Sequence, residues 1–481
     1  MTTAVIFSLK NLPKTEKTTK MQPNATAALD YVTQNQSAFL EKIFELLRFE
    51  TVGVDSTKRT EMQRCAAWLV EHFASLGLSA ELLGSEEKPL VVARSQPRAG
   101  LPTVLIYGHY DVQPAEPLEP WDSPPFEPTI TDGKIIARGS TDDKGQLMTH
   151  LFAAEAWLKT CGELPVNVVY LLEGQEESGS AILDAFLQEE ANLEKLACDV
   201  LVVSDCSQLA PGRPAITTGL RGVNCYELTL TGAQNDLHSG SFGGAVTNPG
   251  NALSQLLGKV VDAQGRITLP HFYDDVIALT PQEREAFATI TEPDDVFFRS
   301  AGVTAGNGEA GFSHLERCWA RPSFDVNGLT CGYQGEGSKT VLPAVASAKF
   351  SFRLVPDQSP EKIEANLRAW LSENCPPGIT FSLENQHGSP GMLTSTTSSY
   401  YQAAKAAITT GFGVAPEQIR CGGSIPIVST LVEKLKAPAL LLGWGQSDDN
   451  THGPNEYFAI DDFLKGTLSA TQLLAELEGC K

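Results

Sequence analysis

Residues 103–111 read TVLIYGHYD, an almost wholly apolar run that passes directly into a histidine and an aspartate. Three further runs have the same character, at residues 166–172 (VNVVYLL), 199–203 (DVLVV) and 438–442 (PALLL). Short apolar runs without alternation are typical of strands that are buried on both faces of a sheet. The sequence therefore predicts an α/β fold with a central sheet flanked by helices.

Segments with helical spacing of apolar residues lie around these runs. Apolar side chains recur at this spacing from residue 27 to about 49, which predicts one amphipathic helix. Further helices are expected over residues 61–76 and 145–160. The last of these lies between two predicted strands, as expected when helices cover a sheet.

The middle of the chain has a different pattern. Residues 223–231 and 344–355 alternate between apolar and polar side chains, which is the period of a half-exposed strand. Helices are expected over 248–262 and 360–375, and another strand over 379–383. This order of elements predicts a small α+β insert in the main domain.

The chain is accordingly expected to divide into four parts. Residues 10–24 are polar, basic and rich in Lys and Thr, so the first part is a loose leader, within which Met21 is a possible start. The parts are a leader at 1–26, a first piece of the catalytic domain at 27–215, the insert at 216–395, and a second piece of the catalytic domain at 396–481.

Charge and cysteine content exclude several classes of function. The 481 residues include 36 Lys and Arg against 58 Asp and Glu, a net charge of −22. Phosphate backbones and anionic lipids repel such a protein, so no nucleic-acid or membrane partner is expected. No apolar run reaches the ~18–20 residues of a membrane span, and no secretory signal peptide is expected. Ten scattered cysteines without a CxxC pair are typical of reduced thiols and a cytoplasmic protein.

Polar clusters follow each apolar run, which is where open α/β sheets place their sites. His109 and Asp111 are two residues apart, so in an extended segment their side chains point the same way. A carboxylate beside a metal-binding imidazole orients the ring and raises its basicity. Taken alone, the pair is more typical of a surface loop with a turn-stabilising aspartate.

The other clusters add the remaining ligands of a metal site. Asp142 precedes a predicted helix, Glu176 and Glu177 follow a strand directly, and Asp205 and His452 follow two others. Histidine and carboxylate are ligands that zinc accepts. Two zinc ions fit if each takes one histidine and one carboxylate, while both share Asp142 and a hydroxide. One member of the Glu176–Glu177 pair then remains as a general base.

Five motifs occur in a fixed order along the chain: GHYDVQP (108–114), RGSTDDKG (138–145), EGQEESGS (173–180), SDCS (204–207) and THGPNE (451–456). Together they resemble the aminoacylase–carboxypeptidase–dipeptidase family of dinuclear zinc metallopeptidases. Further motifs resemble the branch that holds carnosinases and cytosolic non-specific dipeptidases: LRG (220–222), NDLHSGSFGG (235–244), GEGSKTVLP (335–343), RLVP (353–356) and GGSIP (422–426). The resemblance extends from about residue 27 to the C-terminus.

The resemblance implies a role for each residue of the expected metal site. It implies a central mixed sheet in the catalytic domain and a cis peptide bond after Asp142. Asp111 would clamp His109, and Glu176 would act as general base and acid. The implied ligands are His109, Asp142 and Asp205 for one metal ion, and Asp142, Glu177 and His452 for the other.

The resemblance also implies that the insert is a ferredoxin-like lid and dimerisation domain. His238 would reach the active site of the neighbouring subunit of a homodimer and polarise the scissile carbonyl. Arg353 would bind the C-terminal carboxylate of the substrate, for which a guanidinium fork is suited. Ser424 and His387 would be further substrate contacts.

The expected activity is hydrolysis of dipeptides by a water molecule that bridges two metal ions, with Glu176 moving the proton. The expected cofactor is two Zn²⁺ per subunit, with Mn²⁺ or Co²⁺ as alternatives. A second reading is an N-acyl amino acid amidohydrolase or a carboxypeptidase of the same family. A more distant one is a non-catalytic peptide- or metal-binding protein, which the presence of Glu176 disfavours.

Overall fold

The structure is a computed structural model that describes residues 23–480. Residues 1–22 of the expected leader, including Met21, lie outside the described residues, and residues 23–26 begin the first helix. The described chain divides into two compact units. The first unit comprises residues 23–217, 394–419 and 430–480, and the second comprises residues 218–393 and 420–429.

The α-helices of residues 23–480 are, in chain order, α1 (Pro23–Gln34), α2 (Gln36–Leu47), α3 (Arg59–Ser75), α4 (Lys144–Cys161), α5 (Ala181–Phe186), α6 (Glu190–Leu196), α7 (Ser239–Phe242), α8 (Pro249–Lys259), α9 (Pro281–Ile290), α10 (Asp294–Ser300), α11 (His314–Ala320), α12 (Pro360–Asn374), α13 (Ser399–Phe412), α14 (Pro426–Leu435) and α15 (Ile460–Leu477).

The β-strands of the same residues are β1 (Ser79–Gly84), β2 (Pro89–Arg94), β3 (Thr103–His109), β4 (Thr129–Thr131), β5 (Lys134–Ile136), β6 (Asn167–Glu173), β7 (Val200–Ser207), β8 (Ala215–Leu220), β9 (Gly222–Thr231), β10 (Leu237–His238), β11 (Ser323–Cys331), β12 (Val341–Leu342), β13 (Val345–Leu354), β14 (Thr380–Ser389), β15 (Met392–Leu393), β16 (Glu417–Cys421), β17 (Ala439–Gly445) and β18 (Tyr457–Ala459).

The first unit is built on a mixed sheet with the strand order β1-β2-β6-β3-β7-β17-β8. Neighbours among β6, β3, β7 and β17 pair in parallel, while β1, β2 and β8 join antiparallel. These four parallel strands are the four apolar runs of the sequence. The predicted α/β fold with a central mixed sheet flanked by helices is confirmed.

Helix α4 is the centre of the helical layer in this unit. It packs against α1, α2 and α15, and all but one of its residues from Lys144 to Trp157 are buried. Phe152 of α4 stacks on Phe39 of α2, with ring centroids 4.1 Å apart. Burial on every side explains why α4 has no amphipathic pattern, although polar residues such as Gln146 and His150 are buried with the apolar ones.

The prediction of one helix from residue 27 to about 49 was wrong, because the chain breaks at Asn35 between α1 and α2. The Asn35 side-chain amide donates to the Tyr31 carbonyl (2.8 Å), as its own backbone N–H does (3.0 Å). An asparagine that bonds the backbone in this way competes with continuation of the helix.

The second unit holds a four-stranded antiparallel sheet with the order β11-β13-β9-β14. Inward-facing side chains such as Leu228 and Phe350 form its core with residues of α8 and α12, such as Leu253 and Leu367. Helices α9 to α11 were not expected from the apolar pattern. Two of them begin with capping boxes, Thr280 with Glu283 and Ser313 with Glu316, which is a local signal that periodicity alone does not register.

Two strands are longer than their apolar runs. β7 extends to Ser207 because its backbone remains paired with β17 as far as Gly445, so Asp205 lies within the strand. β14 extends to Ser389, which places His387 opposite Cys225 of β9. Among the described residues, no helix has both the length and the apolar composition needed to cross a bilayer.

Candidate metal centre

The carboxyl ends of the parallel strands deliver most of the candidate ligands to one edge of the sheet. His109 is the last residue of β3, and Asp205 lies near the end of β7. Glu176 and Glu177 form a 3₁₀ turn that follows β6 after two residues. His452 lies in the loop that follows β17. We call His109, Asp142, Glu177, Asp205 and His452 the candidate metal centre.

Asp142 reaches this edge from the segment that precedes α4. The peptide bond between Asp142 and Asp143 is cis, as the resemblance implies. The segment folds tightly against the start of the helix: a Cβ atom at Gly145 would lie 1.8 Å from the carbonyl oxygen of Ser140. Only glycine permits this approach.

The five residues form two overlapping groups that could each hold a metal ion, His109 with Asp142 and Asp205, and Asp142 with Glu177 and His452. His109 Nε2 lies 3.1 Å from Asp142 Oδ1 and 4.0 Å from Asp205 Oδ2. His452 Nε2 lies 2.9 Å from Asp142 Oδ2 and 3.4 Å from Glu177 Oε2. The two oxygens of Asp142 therefore face different histidines.

Asp111 contacts both the first histidine and the glutamate turn. Its carbonyl oxygen lies 3.1 Å from His109 Nδ1, and its carboxylate Oδ1 lies 3.5 Å from the same nitrogen. The carboxylate accepts the backbone N–H groups of Glu176 (3.1 Å) and Glu177 (3.2 Å). Asp111 thus fixes the turn that carries the two glutamates as well as facing the imidazole.

The loop that carries His452 has an unusual backbone. Asn450, His452 and Asn455 have φ values of 57°, 64° and 59°, in the left-handed region that residues other than glycine rarely adopt. Such strain persists only where the surroundings fix the backbone, and it concentrates at functional sites. The His452 side chain is 54% exposed, whereas that of His109 is fully buried.

The buried acids repel one another. Burial, reinforced by the charge of Asp142, raises the pKa of Glu177 to about 7. Burial also raises the pKa of Glu176, and it raises that of Asp205 well above its usual range. Burial lowers the pKa of His109, but Asp111 and Asp142 outweigh it and raise the value well above the ordinary one. The cluster holds more negative charge than its two imidazoles offset.

Two buried atoms of the centre lack a well-formed hydrogen bond within residues 23–480: Glu177 Oε1, and His109 Nε2, which faces the carboxylate oxygen Asp142 Oδ1 at 3.1 Å. Leaving buried polar atoms without a partner costs free energy, so such atoms are rare unless a ligand satisfies them. Both belong to residues of the two groups, and imidazole with carboxylate is a donor set that divalent zinc accepts. The residues present fit a pair of divalent metal ions.

Glu176 differs from its neighbour, since it belongs to neither ligand group. Its buried carboxyl is affected by the charges of His109, Asp142 and Asp111, which places it beside the centre. Glu177 is instead held by Gln113, whose side-chain amide donates to Glu177 Oε2 at 2.7 Å. Gln113 lies within GHYDVQP, but neither the motif nor its spacing predicts this contact.

Arg353 and Ser424 come together within the second unit. Arg353 Nη1 donates to Ser424 Oγ (3.0 Å), and Ser424 Oγ donates to the Arg221 carbonyl oxygen. Arg221 Nε donates to the Gly422 carbonyl (2.8 Å). Neither guanidinium has a carboxylate within 4.0 Å among the described residues. We call Arg221, Arg353 and Ser424 the arginine cluster.

The remaining two predicted residues lie elsewhere in the second unit. His238 ends the short strand β10, is exposed, and accepts the Gly240 N–H at Nδ1 (3.0 Å). His387 is an exposed residue of β14, beside a bulge that begins at Asn385. Within the described residues, neither histidine is hydrogen-bonded to the arginine cluster.

Residues 105–476, more than half of the chain, match the profile of peptidase family M20/M25/M40. The chain is 32% identical over 470 residues to a Cys-Gly metallodipeptidase of Saccharomyces cerevisiae, and the match covers 93% of this chain and 96% of that protein. It is 31% identical over 463 residues to a beta-Ala-His dipeptidase of Homo sapiens, and this match covers 91% of this chain and 89% of that protein.

A solved structure that is similar to this chain also comes from the M20 family. An M20 family metallo-carboxypeptidase of Sulfolobus solfataricus superposes with a TM-score of 0.78 at 33% identity, covering 92% of this chain and 99% of that one. Fold and sequence similarity therefore extend over nearly the whole length of this protein.

Proposed function

Because this chain belongs to peptidase family M20/M25/M40, we propose that it is a metal-dependent dipeptidase that hydrolyses the peptide bond of dipeptides. The observation that carries the proposal is the pair of ligand groups that share Asp142. Two relatives at 31–32% identity, matched over most of their length, are named as dipeptidases.

The proposed cofactor is two Zn²⁺, one held by His109, Asp142 and Asp205 and the other by Asp142, Glu177 and His452. Mn²⁺ and Co²⁺ are alternatives, because imidazole and carboxylate ligands bind all three. When bound, the ions supply a Lewis acid for the peptide carbonyl and lower the pKa of water.

Glu176 is the proposed proton carrier. Its carboxylate takes a proton from the attacking water and delivers it to the leaving amine nitrogen. Two observations support this role: Glu176 lies outside both ligand groups, and Asp111 holds its backbone N–H. The raised pKa that burial gives a carboxyl favours a group that must both accept and return a proton.

The arginine cluster is the proposed site for the substrate's C-terminal carboxylate. Arg353 supplies the guanidinium fork, and Ser424 holds it through the bond at Nη1. No carboxylate of residues 23–480 lies within 4.0 Å of this fork, which leaves it available to an anion. His387 is proposed as a further substrate contact.

We also propose a homodimer in which His238 donates a hydrogen bond to the scissile carbonyl of a substrate bound to the partner subunit. β11 lies at the edge of the sheet of the second unit and exposes Val326 and Leu329. An unpaired edge with exposed apolar side chains favours association with another chain.

The proposed compartment is the cytoplasm. All ten cysteines lie in the described residues, and no disulfide bond joins any of them. Such a state is typical of a reducing compartment.

Reconstitution followed by a substrate panel tests the function. The metal-free protein is loaded with Zn²⁺, Mn²⁺ or Co²⁺ and assayed on dipeptides, tripeptides and N-acyl amino acids. Dipeptides should be cleaved fastest. If longer peptides are cleaved from the C-terminus as fast as dipeptides, the result would favour a carboxypeptidase. If N-acyl amino acids are cleaved fastest, the result would favour an amidohydrolase. Two bound metal ions without hydrolysis of any substrate would indicate a binding protein.

A further inference from the structure

Glu456 is a fully buried carboxylate in the loop that carries His452. It accepts four hydrogen bonds, which is the full capacity of its lone pairs. Oε2 accepts Arg138 Nη1 (2.7 Å) and the Gly139 N–H (2.9 Å). Oε1 accepts the N–H groups of Thr141 (3.0 Å) and Asp142 (3.1 Å).

Two further hydrogen bonds, one between backbone groups and one from a side-chain hydroxyl, join the same two segments beside this carboxylate. The Ala137 N–H donates to the Glu456 carbonyl (3.1 Å), and Thr141 Oγ1 donates to the Tyr457 carbonyl (2.6 Å). Asp142 and His452 are 310 positions apart in sequence, yet the carboxylate of the first lies 2.9 Å from the imidazole of the second. Glu456 makes most of these connections, since it accepts the backbone N–H groups of Gly139, Thr141 and Asp142.

The charge of Glu456 is already balanced by a protein group. The Arg138 guanidinium is buried with it and donates through Nη2 to the Pro114 carbonyl at 3.0 Å. With its lone pairs occupied and its charge neutralised, Glu456 has no capacity left to bind a metal ion itself. Glu456 therefore acts on the candidate metal centre indirectly, by fixing the backbone of the segment that carries Asp142 against the loop that carries His452.

We infer that Glu456 is a positioning residue that sets the geometry between Asp142 and His452, and hence between the two metal sites. The inference rests on the proposed metal centre. Asp142 belongs to both ligand groups, so a displaced Asp142 affects both ions. The ion of the group with His452 should be affected most, because both segments joined by Glu456 supply its ligands.

The test uses the full-length protein with Glu456→Gln. A glutamine amide keeps the shape but replaces one oxygen with an N–H₂ group, which cannot accept N–H donors. We expect zinc affinity, measured by calorimetric titration of the metal-free protein, to fall about 10–100-fold. The visible spectrum of the Co²⁺-loaded protein should also change, since it reports the coordination geometry directly.

A matched control separates positioning from simple loss of stability. Glu309 in the second unit is likewise buried and holds Arg321 through two bonds of 2.7 and 2.8 Å. Glu309→Gln should lower Tm as Glu456→Gln does, because each leaves a buried arginine unpaired. Its zinc affinity and cobalt spectrum should equal those of the wild type.

A double variant tests whether zinc affinity stays low after stability has been restored. Arg138→Met with Glu456→Gln removes the unpaired charge, so Tm should recover while zinc affinity stays low. This variant also carries the measurement if Glu456→Gln alone does not fold. Wild-type zinc affinity and spectrum in the Glu456 variants, or equal losses in Glu309→Gln, would overturn the inference. A wild-type protein that binds fewer than two zinc ions would overturn the proposed metal centre instead.

Discussion

The candidate metal centre of the first unit and the arginine cluster of the second unit leave charges of opposite sign uncompensated. In the first unit, burial and, after it, mutual repulsion raise the pKa values of carboxylates such as Glu177 and Asp205, and the carboxylates of the centre outnumber its two imidazoles. In the second, no carboxylate of the described part of the chain lies within 4.0 Å of Arg221 or Arg353, although acids outnumber bases 58 to 36 in the sequence. Burial even lowers the pKa of Arg221.

The opposite charge imbalances of the two clusters imply ligands of opposite charge. A cluster of acids is stabilised by divalent cations, and unpaired guanidinium groups are stabilised by an anion such as a carboxylate. A dipeptide carries one carboxylate and one hydrolysable bond. We therefore expect variants of the first unit to change metal content or chemistry, whereas variants of the arginine cluster should change substrate preference and leave metal content intact.

The largest effect is expected for Asp142→Ala, because Asp142 alone belongs to both ligand groups. Neither metal ion should remain after gel filtration, and hydrolysis should fall to background. His452→Ala should lose mainly one ion. Elemental analysis measures both outcomes, and two equivalents retained by the Asp142 variant would refute the shared ligand.

Glu176→Ala should separate chemistry from metal binding within the first unit. Since Glu176 is not in either group, both ions should remain, while kcat falls about 10²–10⁴-fold with the loss of the general base. Steady-state kinetics on metal-replete protein makes the measurement. Near-normal turnover would remove Glu176 from the mechanism.

A dipeptide and its C-terminal amide test the arginine cluster. We expect kcat/KM to be about 10–100-fold lower for the amide, because a charge-assisted hydrogen bond is lost. In Arg353→Met the acid should react as slowly as the amide, while metal content stays at the wild-type value. Equal wild-type rates on both substrates would exclude Arg353 from carboxylate binding.

The smallest effect is expected in an experiment that tests whether His238 of one subunit acts in the active site of the other. Glu176→Ala and His238→Ala homodimers should each be nearly inactive. After dissociation and random reassociation, about half of the dimers are mixed, and each has one intact site if His238 acts on the partner. Activity should then recover to about a quarter of the wild type. No recovery, with mixed dimers verified by native mass spectrometry, would contradict the shared site.

Strand ends are the part of this protein that sequence alone predicts well. The run before His109 is apolar because β3 is buried on both faces, and its polarity changes where the strand reaches the edge of the sheet. The same local rule placed Glu177 and Asp205 at one edge. Which ligands share an ion, and the roles of His238 and Arg353, came from the family resemblance rather than from spacing.

Features that depend on the polar contacts of a single side chain, local or distant, were not predictable in this way. Asn35 ends a helix through the hydrogen bond that its side-chain amide donates to the Tyr31 carbonyl, which an apolar pattern does not register. Glu456 was visible within THGPNE, but its four donors come from a segment more than 300 residues earlier. In the sequence, Glu456 is only an acid four residues after a histidine. The N–H donors that show its role come next to it only in the folded protein.

The joining of Asp142 to the His452 loop also has a consequence for biosynthesis. A ribosome adds roughly 5–20 residues per second, so about 10–50 s separate the appearance of Asp205 from that of His452. During that interval the nascent chain holds His109 and the acids of the centre, but it lacks the second imidazole and the carboxylate of Glu456. We therefore expect metal loading to be completed only when the last strand of the sheet and its loop have left the ribosome.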